Sequence, residues 1–132
     1  MRRRSGFGLV AAAAFVAGGA ASRQGDRAWR DLDGREWVGF TPREKQAYVA
    51  GFLTGAGLAE AEAATRGAAD STRLHAALDS LARAGALRFA YGAMVYANQL
   101  DEFYWWANHV PVRLYLALNQ INERMRGGGE QQ

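Results

Sequence analysis

Residues 91–106, YGAMVYANQLDEFYWW, constrain the fold more than any other stretch of the chain. They hold two of the four tryptophans, four of the other eleven aromatics and the adjacent acids Asp101 and Glu102. On a helix over residues 87–107, at about 100° per residue, the side chains sort into two flanks. Leu87, Ala90, Met94, Ala97, Asp101 and Trp105 share one. Phe89, Ala93, Tyr96, Leu100, Phe103 and Tyr104 share the other. Only a narrow line of Arg88, Gly92, Val95, Gln99 and Glu102 separates them. A helix with two apolar flanks must be covered on two sides, which places it in the middle of a bundle. Asp101 lies on an apolar flank and therefore needs a partner, because an unpaired buried carboxylate is costly. Arg113 and His109 are the near candidates in sequence.

The N-terminus has a different character. Arg2, Arg3 and Arg4 precede an uncharged apolar run over residues 7–17, and Gly18, Gly19, Ala20, Ala21 and Ser22 follow. A basic head, a short apolar run and small residues are the three parts of a secretory signal peptide. The run falls short of the roughly 20 residues that a membrane span requires. Residues 1–22 are thus expected to be a signal peptide, and the mature chain to be periplasmic or secreted. Membrane contact is expected only through an uncleaved signal.

That division settles the charge argument. The net charge of +3 comes from 16 basic and 13 acidic residues. Without Arg2, Arg3 and Arg4 the balance is even, so the basic character belongs to the leader and gives no argument for nucleic acid. The chain has no cysteine. Disulfides, thiolate metal sites and a cysteine nucleophile are excluded, and the exported fold must hold by packing alone. A mature chain of about 110 residues is long enough for that.

Within the mature chain the expected order is an irregular arm over 23–40, a helical domain over 41–126 and a disordered tail over 127–132. In the arm, Asp31-Leu32-Asp33-Gly34 reads as a turn, and Trp37 with Phe40 folds back on the bundle. Thr41-Pro42-Arg43-Glu44 is a capping box with proline at the first helical position, opening a helix over about 42–66. Ala47, Gly51, Gly55 and Ala59 form a small-residue stripe on it, expected to admit a second helix closely; the functional alternative is a groove for a ligand or a partner backbone. Asp70 or Ser71 caps another helix, with Leu74, Leu78, Leu81 and Ala82 on its apolar face. Pro111 begins the last one, where Leu114, Leu118, Ile121 and Met125 make one face. No alternating strand pattern occurs. The fold class is all-α, a small bundle of about four helices after the signal.

No catalytic constellation emerges. The histidines are His75 and His109, and no metalloprotease, nucleophile-elbow or phosphate-loop motif is present. Neither a metal, a cofactor nor an enzymatic role is expected. Surface remains: four consecutive aromatics, Phe103 to Trp106, cannot all point into one core. Trp106 is expected to be partly exposed, either facing water or packed on Trp37 or Pro111. Trp and Tyr beside acids form a composition common at protein-binding hot spots. The expected partner-binding residues are Trp37, Phe103, Tyr104, Trp106 and His109.

Trp37, Thr41, Lys45, Tyr48-Val49, Gly51-Phe52 and Gly55, followed by Tyr96, Leu100, Phe103-Tyr104, Pro111 and Ala117-Leu118, resemble the Rap/Tai-type immunity family of type VI secretion. The pattern is shared with other small exported helical proteins and extends over about residues 37–125. The resemblance implies a small all-helical periplasmic protein, often a homodimer, that binds and blocks a toxic cell-wall-degrading effector. Members commonly carry a disulfide, which this chain has no cysteine to form. The expected function is therefore an exported protein-binding module of the immunity type. The alternatives are an envelope structural or stress protein acting through self-association, and a small-ligand carrier.

Overall fold

Two capping boxes, one after the other, start the first two α-helices among the described residues. The structure, a computed structural model, describes residues 28–67 and 70–128. The expected signal peptide, the first residues of the arm and the last four residues lie outside this range. At Asp33 the carboxylate accepts a hydrogen bond from Arg35 N at 2.8 Å. The Asp33 N–H donates to Glu36 Oε2 at 2.9 Å. This reciprocal cap starts helix α1, Gly34–Gly39. Two residues later Thr41 repeats the device with Glu44, and Pro42 fills the first helical position of α2, Pro42–Ala64. Both boxes satisfy N–H groups that a helix start leaves open.

The chain is all-α. Among the described residues α1 and α2 are followed by α3 (Ser71–Arg83), α4 (Ala93–Phe103) and α5 (Leu114–Gly127), with 3-10 turns at Trp29–Asp31 and Ala107–His109. Four of these five helices are long, as expected, and α1 is the short addition. Part of the stretch expected to be irregular is thus helical, because Asp33 and Glu36 supply a complete cap.

Helix ends follow from backbone chemistry. After α2, Arg66 and Gly67 both take positive φ, and Gly67 N donates back to Glu62 O at 2.8 Å. After α3, Gly85 takes φ +64 and Ala86 N donates to Leu81 O at 2.9 Å. Each is the six-residue return bond that satisfies the last carbonyls of a helix.

α4 is the central helix, packed against α2 on one side and α5 on the other. It is shorter than expected. Residues 87–92 are not helical, although their apolar spacing continues the pattern of α4. Side-chain hydrogen bonds hold that segment instead: Arg88 N donates to Glu60 Oε1 at 2.9 Å, and Asn122 Nδ2 donates to Arg88 O at 3.1 Å. Phe89 fills the gap between Phe52 and Tyr96, with ring centroids 5.0 Å and 5.8 Å away.

The core joins Trp37, Val49, Tyr96, Leu100 and Phe103 to Leu114, Leu118 and Ile121. The expected apolar face of α5 is thus buried, with Met125 packed at its edge. Asn122 is fully buried among these groups and accepts from Tyr96 Oη at 2.7 Å. Among the described residues no buried side-chain polar atom lacks a partner.

The arm is stitched to the start of α5. Leu114 N donates to Leu32 O at 2.8 Å, and Gly34 N donates to Val110 O at 2.9 Å. The first of these bonds satisfies an N–H at the start of α5, which has no side-chain cap. Gly34 is buried here against Tyr104, and a Cβ at this position would lie 2.5 Å from Tyr104 Cδ1.

The stripe of Gly51 and Gly55 does not pack a helix. Both glycines are exposed, and a Cβ on either would meet nothing within 4 Å. The close approach occurs one face away, at buried Gly57, where a Cβ would lie 2.9 Å from Leu78 Cδ1 of α3. Leu78 sits on the expected apolar face of α3, which packs mainly on α2 and has no fully buried residue.

Candidate functional site

The last turn of α4 brings together an acid buttress and an aromatic surface. Asp101 Oδ1 accepts two hydrogen bonds, from Trp37 Nε1 at 2.8 Å and from Lys45 Nζ at 2.6 Å. Lys45 also lies over the Trp37 ring, 5.2 Å from its centroid. It is the only lysine in the chain. The partners of Asp101 are therefore Trp37 and Lys45, in place of the expected Arg113 and His109. Arg113 instead reaches Asp31, with an N···O distance of 3.6 Å. His109 Nδ1 lies 2.7 Å from Phe103 O. A carbonyl oxygen only accepts, so His109 carries a proton on Nδ1. Its ring stacks on Phe103 with centroids 4.3 Å apart.

Three of the five residues expected to contact a partner are core. Trp37, Phe103 and Tyr104 are all buried. Tyr104 Oη donates to Val112 O at 2.7 Å, and burial pushes its hydroxyl well above the ordinary tyrosine range, with Asp33 adding to the shift. Burial also raises Tyr48 and Tyr96. These side chains build the floor, and they offer no contact surface. His109 is half-buried and closes the helix end.

Trp106 is 60% exposed and its neighbour Trp105 is 82% exposed. Trp105 lies on an apolar flank of the helical pattern, a face that a bundle covers. The helix ends at Phe103, so Trp105 and Trp106 sit in the following turn and leave the face that the pattern assigns them. Among the described residues no hydrogen bond or ring contact ties either indole. With Asp101 and Glu102 they line an open recess of about 400 Å³. A second, smaller hollow of about 100 Å³ also touches Asp101 and is lined by Lys45, Gln46, Met94 and Asn98.

No His, Asp and Glu side chains are grouped to hold a metal ion among the described residues. No helix among them is long and apolar enough to cross a membrane. What the arrangement offers is contact chemistry: two indole faces, one carboxylate anchored by Lys45 and Trp37, and one carboxylate, Glu102, whose one partner among the described residues is Gln99 Nε2 at 3.3 Å. Comparison with family models, with curated proteins and with solved structures found no match for this chain.

Proposed function

We propose that this chain is an exported protein-binding module that engages its partner through the C-terminal end of α4. The observation that carries the reading is the pair of adjacent tryptophans, 82% and 60% exposed, on a buried and hydrogen-bonded floor. Exposing two indoles to water forgoes about 1.5–3 kcal/mol of burial for each, a loss that a binding surface recovers on association. Large aromatics on a rigid base are the usual anchors of such interfaces.

The sequence resemblance supports a narrower form of the proposal, an immunity-type inhibitor that blocks a secreted cell-wall-degrading effector. Affinity capture from the periplasm of the source cell tests both levels. The wild-type chain should retain a secreted enzyme and slow its hydrolysis of cell wall, and the Trp105→Ala/Trp106→Ala double variant should do neither. Recovery of nothing at micromolar concentration contradicts the proposal. Capture of a partner without hydrolytic activity keeps the binding role and removes the immunity role.

A further inference from the structure

We infer that the recess of Asp101, Glu102, Trp105 and Trp106 receives an arginine side chain of the protein partner. The inference rests on the protein-binding reading above and names the chemistry of that site.

Three features converge on a cation. Indole faces attract cations through their ring quadrupole, and tryptophan does so best. Both indoles at this recess are exposed and unengaged. The recess also contains two carboxylates on consecutive residues. Lys45 already balances Asp101, but Glu102 has only the neutral amide of Gln99. The third feature is position. Asp101 and Glu102 stand in the last turn of α4, where the helix dipole is negative, and that turn has no basic residue. Lys45 already compensates Asp101 there, so Glu102 is the acid left facing the negative helix end, and a second cation would relieve that repulsion.

Arginine fits better than lysine or a small ammonium ion. The guanidinium is planar, so it stacks on an indole while its N–H edge meets a carboxylate in a forked bond. The recess is open and broad, lined by flat rings and a carboxylate edge. Lysine carries a strongly hydrated point charge that gains less from such a surface.

The site can be read directly from the tryptophan N–H signals of the full chain in a proton–nitrogen NMR spectrum. The probes are methylguanidinium and a short capped arginine peptide, with a capped glutamine peptide at equal ionic strength as control. Both cationic probes should move the Trp105 and Trp106 signals saturably, while the Trp37 signal, tied to Asp101, stays in place. Glu102→Gln should weaken the response about fivefold. Absence of a saturable shift, or an unchanged response in Glu102→Gln, overturns the inference. A second arm places a photo-crosslinking residue at Ala107, an exposed neighbour of the recess. Cross-links to an arginine-bearing segment support the inference. Cross-links to a segment without a basic residue overturn it and leave the protein-binding reading standing. If the arginine peptide binds but no protein is cross-linked, the protein-binding reading fails and the recess chemistry survives.

Discussion

Trp37 and Asp101, 64 residues apart in the chain, meet in a hydrogen bond of 2.8 Å from indole Nε1 to carboxylate Oδ1. The bond fixes α1 to the last turn of α4. It also explains an acid on an apolar flank: the carboxylate is the acceptor for a buried indole and the counter-charge for Lys45. Asp101→Ala leaves the Trp37 N–H without its acceptor and should cost about 1–3 kcal/mol. Asp101→Asn keeps an acceptor oxygen and should cost less. The Lys45 pair is partly exposed and adds at most about 1 kcal/mol. Chemical denaturation of the two variants checks this order.

The tryptophans should divide into two classes. Trp37, 1% exposed, should cost about 3–5 kcal/mol on replacement by alanine. Trp105→Ala and Trp106→Ala should each stay within about 0.5 kcal/mol of wild type, as surface changes do. Thermal unfolding of the three variants separates the classes.

Glycine to alanine substitutions should change sign with position. Gly51→Ala and Gly55→Ala place a methyl group in open space inside a helix, and each should stabilise by about 0.5–1 kcal/mol. Gly34→Ala drives a Cβ to within 2.5 Å of the Tyr104 ring and 3.0 Å of the Val110 backbone. It should cost about 1–3 kcal/mol. Unfolding midpoints of the three variants test the placement of the glycine stripe.

Stability should fall at alkaline pH. Burial raises Tyr104, Tyr48 and Tyr96 above the ordinary tyrosine value in the folded chain. The unfolded chain therefore ionises first. The stabilisation is complete below about pH 10 and is lost as pH rises from there toward the folded values. Tyr104→Phe should flatten this fall. At neutral pH it should cost about 1 kcal/mol through the lost bond to Val112 O. A series of unfolding curves across alkaline pH tests both effects.

Local signals were the legible ones. Thr41, Pro42 and Glu44 announce the start of α2, and Leu114, Leu118 and Ile121 announce the buried face of α5, because caps and helical spacing act over a few residues. The cap of α1 was also present, as Asp33 three residues before Glu36, although the neighbouring Asp31 and Gly34 suggest a turn. The start of α4 was hidden because Phe89 is apolar for a different reason: it packs from a loop. Non-local pairings left no trace. Lys45 meets Asp101 from 56 residues away, and buried Asn122 meets Tyr96 across two helices. Partial exposure of Trp106 followed from the crowding of four aromatics. The exposure of Trp105 did not, because it depends on where α4 stops.

The sharpest test is the equilibrium affinity of the captured partner for wild type and for Trp105→Ala/Trp106→Ala, with unfolding midpoints measured on the same samples. The expected result is a loss of at least about thirtyfold in affinity at an unchanged midpoint. Unchanged affinity with a lowered midpoint would make the tryptophans part of the architecture and contradict a binding role for this end of α4.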